Sequence, residues 1–443
     1  MIIFKRPFWV CLHRWAGLAM AGFLILAGLT GSLLAFYPEL ERQINPQFYT
    51  EQTNGHILDI ATLAERARQQ IPSARVDSVV LEANQEATLV FVSPRPGHEL
   101  SFNQVFLNPY TGKVLDHRQF GALTDSWRNI LSFVYRLHTS LALGTFGMWV
   151  LGICALIWTI DCLVGFYLSL PQRVKRAKDA VVNKTEARTG SMLNGWQRWK
   201  PAWKIRWRSS STKLNFDLHR ASGLWLWPIL LIFAWSSVYM NLWDTVYTWT
   251  TRTVFEYKAP WTELPKQEDA LKDTRQDAKS REPRLNWRQA QAVGRYWMNK
   301  QAEQHRFEID RPVAMWLIRE RNVYQYSVRS SRDIQDRRGG TSVFFDADTG
   351  AFKLLLLPTG QYNGNTVTSW LYALHMGNVF GLPYRIFVCI TGLIVVMLSV
   401  TGILIWLRKR RVQKAQAVTW QSVALLREQR LMVLRNTLHH YQK

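Results

Sequence analysis

Apolar residues in this chain of 443 residues gather into four long segments that are separated by polar stretches. The segments cover roughly residues 12–37, 139–170, 216–243 and 371–407. Each can supply the about 20 apolar residues that a helix needs to cross a bilayer. The first is too long for a cleaved signal peptide and ends in bulky residues, so we expect it to remain as an anchor. The pattern predicts an α-helical membrane protein with a four-span bundle.

The two long polar stretches, after the first span and after the third, predict small α+β domains. Each carries a helical periodicity followed by alternating strand patterns: about 57–71 before Ala87–Val92 in the first, and about 286–303 before Val323–Arg329 in the second. Residues 105–115 and 343–353 each indicate a strand, a tight turn closed by Thr-Gly, and a second strand. The similarity of the two stretches indicates an internal duplication.

Positive charge is concentrated in two polar regions and sets the predicted orientation. The formal net charge is +23. Residues 171–213 hold 12 Lys or Arg against 2 acidic residues, and the tail 408–443 holds 9 against 1. Residues 39–130 hold 8 against 11, and residues 251–368 hold 20 against 15. Because basic loops stay in the cytoplasm, we expect both termini and the central linker inside and the two α+β domains outside. The charge then contacts anionic lipid, and a nucleic-acid partner is not expected.

These patterns divide the chain into eight parts: a first transmembrane helix 1–37, an outer domain 38–130, a second transmembrane helix 131–170, a basic Trp-rich linker 171–215, a third transmembrane helix 216–243, a second outer domain 244–368, a fourth transmembrane helix 369–407 and a basic cytoplasmic tail 408–443. In the linker, Trp196, Trp199, Trp203 and Trp207 are spaced for one face of a helix in the membrane interface. The alternative interpretation is that this tryptophan face of the helix is a docking site for an electron donor.

Four histidines lie near the beginnings of the four apolar segments: His13, His138, His219 and His375. Spans one and three run outward and spans two and four run inward, so the orientation places His13 with His219 inside and His138 with His375 outside. A low-spin b-type haem needs two neutral imidazoles on opposite faces of one iron. Because ionisable residues in a membrane are costly unless they serve a function, the sequence predicts two haems, one for each pair.

Residues near the histidines repeat with them. Gly17 and Gly223 follow His13 and His219 by four, so they share a helical face and leave room for a macrocycle, although close helix packing explains them as well. Arg14 and Arg220 are candidates for haem propionates, and both also satisfy the positive-inside rule.

Other repeated residues could bond back to the backbone or to a buried propionate, and packing is the favoured role. They are Thr30-Gly31, Ser236-Ser237 and Thr401-Gly402, which recur at corresponding depths. The acidic Asp161 stands inside the second span, where a proton relay, a quinol contact and a helix-packing role are open, and we favour packing. Gly144 and Gly381, which follow the outer histidines by six, fit a macrocycle less well.

Several of these motifs together resemble the PepSY-associated transmembrane family, and within it the inner-membrane ferric-siderophore reductases. They are His13-Arg14-Trp15-x-Gly17-Leu18, Thr30-Gly31-Ser32, Phe216-Asp217-Leu218-His219-Arg220, Leu374-His375-Met376-Gly377 and Thr401-Gly402. The resemblance implies a bacterial inner-membrane protein with two PepSY-like periplasmic domains. It also implies two bis-histidine haems b, on His13/His219 and His138/His375. Ser237 departs from the glycine common at that position.

The favoured hypothesis is an oxidoreductase of iron uptake that reduces a ferric siderophore in the periplasm. Hard oxygen ligands hold Fe(III) far better than Fe(II), so one electron delivered outside releases the iron. The sequence carries no GxGxxG unit, so electrons are expected from a membrane quinol or an unidentified partner, entering at His13/His219. No catalytic residue beyond the haems is expected. Two alternatives stay open: a non-catalytic, peptide-binding PepSY scaffold, and an iron-chelate transporter.

Overall fold

The computed structural model describes residues 5–52, 55–81, 86–124, 126–172, 195–264 and 282–441, the side chains of 417–441 excepted. The middle of the predicted basic linker, residues 173–194, lies outside the described residues. Two compact units make up the chain. One is formed by Met1–Leu26, Ile157–Leu230 and Ile394–Lys443, and is called unit A. The other is formed by Ala27–Leu156 and Leu231–Leu393, and is called unit B.

The helices, numbered in chain order, are α1 Arg6–Leu34, α2 Tyr37–Ile44, α3 Ile60–Gln70, α4 Ile130–Ser140, α5 Gly144–Ser169, α6 Gly195–Trp199, α7 Ser211–Trp225, α8 Trp227–Asn241, α9 Thr248–Val254, α10 Pro260–Glu263, α11 Trp287–His305, α12 Asn363–His375 and α13 Gly381–Tyr441. The strands are β1 Ala74–Leu81, β2 Thr88–Pro94, β3 Gln104–Leu107, β4 Val114–Arg118, β5 Ile309–Ile318, β6 Val323–Ser330, β7 Thr341–Asp346 and β8 Phe352–Leu356. The helices predicted at 57–71 and 286–303, and the strands that follow them, are confirmed.

Three helices in the described residues are long and apolar enough to cross a membrane: α1, α5 and the Gly381–Gln416 part of α13. The segment predicted as a continuous third span is broken instead. Helices α7 and α8 pass the same test only as a pair, and they are bent by 71° at the break. Pro228 lies at the second position of α8, where it has no backbone N–H to continue the hydrogen bonding of α7.

All eight strands form one antiparallel sheet in the order β4-β3-β2-β1-β5-β6-β7-β8. The expectation of two separate small sheets is wrong in this respect, because β1 of the first polar stretch pairs with β5 of the second, with Val79 opposite Met315. Each four-stranded half alone would leave its first strand as an open edge with unpaired backbone groups. Pairing the two edges satisfies those groups and removes a site of unwanted association.

Helices α3 and α11 cover the same face of this sheet. Leu63 on α3 and Met298 on α11 are buried in one core with Val79 and Met315 of the two central strands. The Gln291 side chain accepts a hydrogen bond of 2.7 Å from the backbone N–H of Ala61, so the two helices are also joined by a buried polar contact. The sheet and its two helices therefore form a single layered domain within unit B.

The two Thr-Gly turns have the same geometry. In the first, the Asn108 side chain accepts from the backbone N–H groups of Tyr110 and Thr111. In the second, Asp346 accepts in the same way from Asp348 and Thr349. Gly112 and Gly350 follow with φ of +70° and +74°, a left-handed conformation that favours glycine.

Candidate functional site: two histidine pairs

The first histidine pair lies in unit A. His13 on α1 and His219 on α7 face each other with their ring centroids 6.1 Å apart and their planes at 63°. The structure thus brings together the two histidines that charge asymmetry assigns to one side of the membrane.

His13 is held by two residues of α5. Its Nδ1 lies 2.9 Å from Oδ1 of Asp161, a carboxylate that is only 8% exposed. One turn further along, a Cβ added to Gly165 would lie 3.4 Å from Cε1 of His13. The carboxylate therefore fixes one ring nitrogen, and the glycine allows the ring to approach the helix.

His219 is held by α13 in a similar way, but by neutral groups. Its Nδ1 lies 3.0 Å from the backbone oxygen of Leu398 and 3.1 Å from Oγ1 of Thr401. A Cβ added to the next residue, Gly402, would lie 3.3 Å from Cε1 of His219. The two rings of the first pair thus pack against glycines of two different helices.

The second pair, His138 and His375, lies in unit B with ring centroids 6.4 Å apart and planes at 60°. Nδ1 of His138 is 2.9 Å from Oγ1 of Thr30, and Nδ1 of His375 is 2.7 Å from Oγ of Ser236. Gly31 lies against His138, since a Cβ there would be 3.0 Å from Cε1. The second pair therefore repeats the arrangement of the first with hydroxyl partners.

The hydrogen bonds define the tautomer of the imidazoles. Ser236 donates its hydroxyl to the carbonyl of Phe233, and Thr401 donates to the carbonyl of Met397. A hydroxyl that gives its proton to the carbonyl can only accept from Nδ1, and the Leu398 carbonyl at Nδ1 of His219 is an acceptor in any case, so this arrangement favours a proton on Nδ1. Two further groups also accept from the Nδ1 of their histidines. They are the hydroxyl of Thr30, which donates to the carbonyl of Ala27, and the carboxylate of Asp161. Nε2 therefore keeps its lone pair in all four rings, which is the form that binds a metal.

The residues at the four Nδ1 atoms were assigned to packing on sequence alone, and the structure gives them a different role. Thr30 has the same offset from His13 in the first half of the chain as Ser236 has from His219 in the second. That equal offset is the signal that could have found them. Asp161 was also assigned to packing, although its place as an acidic residue inside an apolar helix is itself the signal of a specific partner.

The geometry of each pair fits an iron held inside a macrocycle. Two imidazoles that bond one ion through Nε2, at about 2 Å each, have ring centroids roughly 6 Å apart, which agrees with both pairs. Within the described ranges, no group of three or more His, Cys, Asp or Glu side chains could hold a metal ion. A pair supplies only two ligands, so an ion held there would need its remaining ligands from a bound group, and haem is one group that supplies them.

The other predicted binding residues lie around the first pair. No atom lies within 4 Å of a Cβ added to Gly17, and the nearest to one on Gly223 is a Leu398 methyl at 3.9 Å. Arg220 donates to the Asp217 carboxylate at 3.1 Å and to the Pro201 carbonyl at 2.9 Å. Arg14 stacks over Trp15 at 5.4 Å. The Nε atoms of Arg14 and Arg220 are both buried without a hydrogen-bond partner in the described residues, as suits arginines that bind an anionic group.

His138 and His375 end short helices and do not begin the long apolar ones. α4 ends at Ser140 and α12 at His375, while α5 and α13 start at Gly144 and Gly381. Both glycines have positive φ, +60° and +63°, so they turn the chain between the two helices. The expectation that Gly144 and Gly381 border a macrocycle is replaced by this role as hinges between helices.

The sheet domain contacts the turn that follows His375. The backbone N–H of Asp336, in the β6–β7 connection, donates to the carbonyl of Asn378 at 2.8 Å. The Asp336 carboxylate accepts from the N–H of Gly381 at 2.7 Å. The sequence carried no recognisable signal of this contact, since it joins segments more than 40 residues apart and all of its groups except the Asp336 carboxylate belong to the backbone.

The tryptophans of the basic linker do not share one helical face. Helix α6 ends at Trp199, and Pro201 continues the chain as a 3-10 turn, Lys200–Trp203. The indoles instead contact one another edge to face, with centroids of Trp196 and Trp199 at 5.7 Å and of Trp199 and Trp203 at 5.1 Å. Trp207 lies in a turn and is 70% exposed.

Comparison with known protein families supplies a match for most of the chain. No curated protein matches the sequence. The sequence profile of the PepSY-associated TM region matches residues 10–409, which include both histidine pairs and the whole sheet. The chain is therefore a membrane protein that belongs to the family of the PepSY-associated TM region.

Proposed function

We propose that this protein is a di-haem oxidoreductase that carries electrons across the bacterial inner membrane and reduces a ferric chelate, such as a ferric siderophore, in the periplasm. The observation that carries the proposal is the shared state of the four histidines. Each has its Nδ1 proton committed to an acceptor and its Nε2 lone pair free, and they form two facing pairs. Metal-ligating histidines in proteins have this arrangement, because the second hydrogen bond orients the ring and raises its basicity.

His13 and His219 would hold one haem b, and His138 and His375 the other. Haem bound in this way supplies reversible one-electron chemistry between Fe(III) and Fe(II). The chain's own residues provide orientation. Gly31, Gly165 and Gly402 let three of the rings lie against neighbouring helices, and the acceptors at Nδ1 prevent those rings from rotating. Arg14 and Arg220, whose buried Nε atoms have no hydrogen-bond partner in the described residues, would neutralise the carboxylates of the first haem.

Four spans complete the proposed topology, with α7 and α8 counted as one broken span. The excess of Lys and Arg in residues 171–213 and 408–443 supports a cytoplasmic position for those segments and for both termini. The sheet domain would then be periplasmic. Electrons would come from a membrane quinol or a partner protein, enter at the His13/His219 haem and leave from the His138/His375 haem.

An internal duplication accounts for the repeated contacts. The matching Thr-Gly turns, the two four-stranded half-sheets and the equal offsets from His13 to Thr30 and from His219 to Ser236 support it. In this proposal two equivalent halves each contribute one histidine to each haem. That would explain why a chain with a single sheet domain has two histidine pairs.

The contact between the sheet domain and the turn after His375 supports a role in reduction at the outer side. Asp336 joins the β6–β7 connection to Asn378 and Gly381, within a few residues of a proposed haem ligand. The sheet domain is thus positioned to bring a chelate close to the second pair. Iron leaves the chelate after reduction because its oxygen ligands bind Fe(II) weakly.

The decisive experiment is a reduced-minus-oxidised absorbance spectrum of protein purified from haem-replete cells. The wild type is expected to contain two low-spin haems, His219→Ala to keep only the second, and His375→Ala only the first. His117→Ala, at an exposed histidine of β4, is the matched control and should keep both. Loss of both haems or of neither in the pair variants would contradict the pairing, and a wild type without haem would refute the function.

Activity is tested separately, in proteoliposomes with a quinol as donor and a ferric siderophore outside, by trapping Fe(II) with a chromogenic chelator. Wild type should produce Fe(II), and both pair variants should not. A non-catalytic scaffold or a transporter would show equal Fe(II) production with and without the histidines.

A further inference from the structure

The four histidines differ in the charge of the group that holds them. Three have neutral acceptors at Nδ1: a hydroxyl for His138, a hydroxyl for His375, and a backbone carbonyl with a hydroxyl for His219. Among the described residues only His13 meets a carboxylate, with Asp161 Oδ1 at 2.9 Å. The first pair therefore contains the one ring of the four whose Nδ1 is held by a charged group in the described part of the chain.

This contact breaks the repeat between the two halves of the chain. Asp161 and Leu398 occupy matching positions, because the offset from His138 to Asp161 equals the offset from His375 to Leu398. The two positions face the same target in their own halves, since the Leu398 carbonyl binds Nδ1 of His219. At matching places one half presents a full negative charge and the other a neutral dipole. Packing does not require that difference, because a leucine fills the corresponding position.

The Asp161 charge is not cancelled by a neighbouring cation. In the described part of the chain no Lys or Arg lies within ion-pair distance of its carboxylate, which contacts the neutral His13 imidazole instead. Asp217, on the same helix as His219, forms ion pairs with two arginines, Arg206 through Nε at 2.6 Å and Arg220 through Nη2 at 3.1 Å. Asp161 is 8% exposed and lies within the apolar helix α5, where little solvent screens a charge.

We propose that Asp161 is a positioning residue that lowers the reduction potential of the haem held by His13 and His219, and so directs electrons from that haem to the second one. The inference rests on the proposed function. A carboxylate at Nδ1 gives a stronger, charge-assisted hydrogen bond and a more basic imidazole than a neutral acceptor does. Both effects favour Fe(III) over Fe(II) in the first haem. His138 and His375, with hydroxyl partners at Nδ1, would leave the second haem with the higher potential, so that an electron would pass to it downhill.

The electron balance needs no further reactant. One membrane quinol gives up two electrons and two protons, and the two electrons pass singly through the protein. Each converts one chelated Fe(III) to Fe(II), so one quinol reduces two ferric chelates. Asp161 forms and breaks no covalent bond in this sequence.

The test is a potentiometric titration of a variant that retains only the first haem. In the His375→Ala background, Asp161→Asn keeps the size of the side chain and removes its charge. We expect the equilibrium constant for reduction to rise about tenfold, which is about 59 mV for a one-electron couple. An unchanged or lower potential would overturn the inference. The control is Asp161→Asn in the His219→Ala background, where the second haem should keep its potential.

A second measurement covers the case in which Asp161→Asn fails to hold haem. In that case the potential of the first haem in His375→Ala is compared with that of the second haem in His219→Ala, both with Asp161 intact. The first must be the lower, and equal or reversed potentials refute the proposal. Wild type without haem would instead refute the proposed function, so the two failures are distinguishable.

Discussion

The hydroxyl of Ser236 lies 2.7 Å from Nδ1 of His375, whereas the hydroxyl of the adjacent Ser237 points back to the carbonyl of Phe233 at 2.8 Å. Two neighbouring serines on α8 therefore have different roles. One holds a candidate ligand, and the other satisfies its own helix. This difference provides a matched pair of variants.

Ser236→Ala should weaken haem binding at the second site, because His375 loses the acceptor that orients its ring. Loss of such a partner typically costs 10–100-fold in metal affinity, so we expect a fall of about that size. The measurement is haem titration of the apoprotein in the His219→Ala background, which isolates the second site. Ser237→Ala is the control and should bind as its parent does. Equal affinities for the two variants would contradict the assignment.

Gly31→Val should displace His138 and reduce occupancy of the second haem. A Cβ at position 31 would lie 3.0 Å from Cε1 of the ring, which leaves no room for a branched side chain. The haem-to-protein ratio measures the effect. Gly22→Val on the same helix is the control, since no atom lies within 4 Å of its Cβ position. If both variants retain two haems, the close approach at Gly31 has no role in binding.

Glu41→Ala should strongly destabilise the sheet domain. Glu41 pairs with Arg118, and their side chains are only 2% and 7% exposed. Removing one partner leaves a buried guanidinium uncompensated, at a cost of about 3–5 kcal/mol. Thermal unfolding of the detergent-solubilised chain measures the change. Glu65→Ala breaks the more exposed pair with Arg288 and should cost about 0–1 kcal/mol. Similar losses in the two variants would show that the burial of Arg118 carries no energetic weight.

Acidification should weaken the link between α2 and the start of α13. The Arg385 guanidinium donates hydrogen bonds to Glu39 and holds the pKa of that carboxyl below its usual value of 4.5. Because the folded-state pKa is the lower one, the stabilisation is complete above 4.5 and is lost as the pH falls through the folded value. Unfolding temperature measured from pH 7 to pH 3 should fall less for Glu39→Gln than for wild type. Parallel curves would contradict the assignment.

The elements of the sheet domain were predictable because each is set by local sequence. The helical periodicities at 57–71 and 286–303 match α3 and α11, and the Thr-Gly turns occur where glycine is needed for a positive φ. The joining of the two half-sheets was not predictable. The pairing of β1 with β5 depends on backbone groups, which have the same chemistry in every sequence.

The histidine sites likewise have one part that the sequence predicts and another part that it does not. The sequence by itself determined the pairing of His13 with His219 and of His138 with His375, because the charge asymmetry that predicts the direction of each span groups them in this way. Only the tertiary structure decided what holds each ring. Asp161, Thr30, Ser236 and Thr401 reach their histidines from other helices, and the sequence signals that single them out do not say which ring each one contacts. Which ring each of them contacts depends on how the helices are packed together.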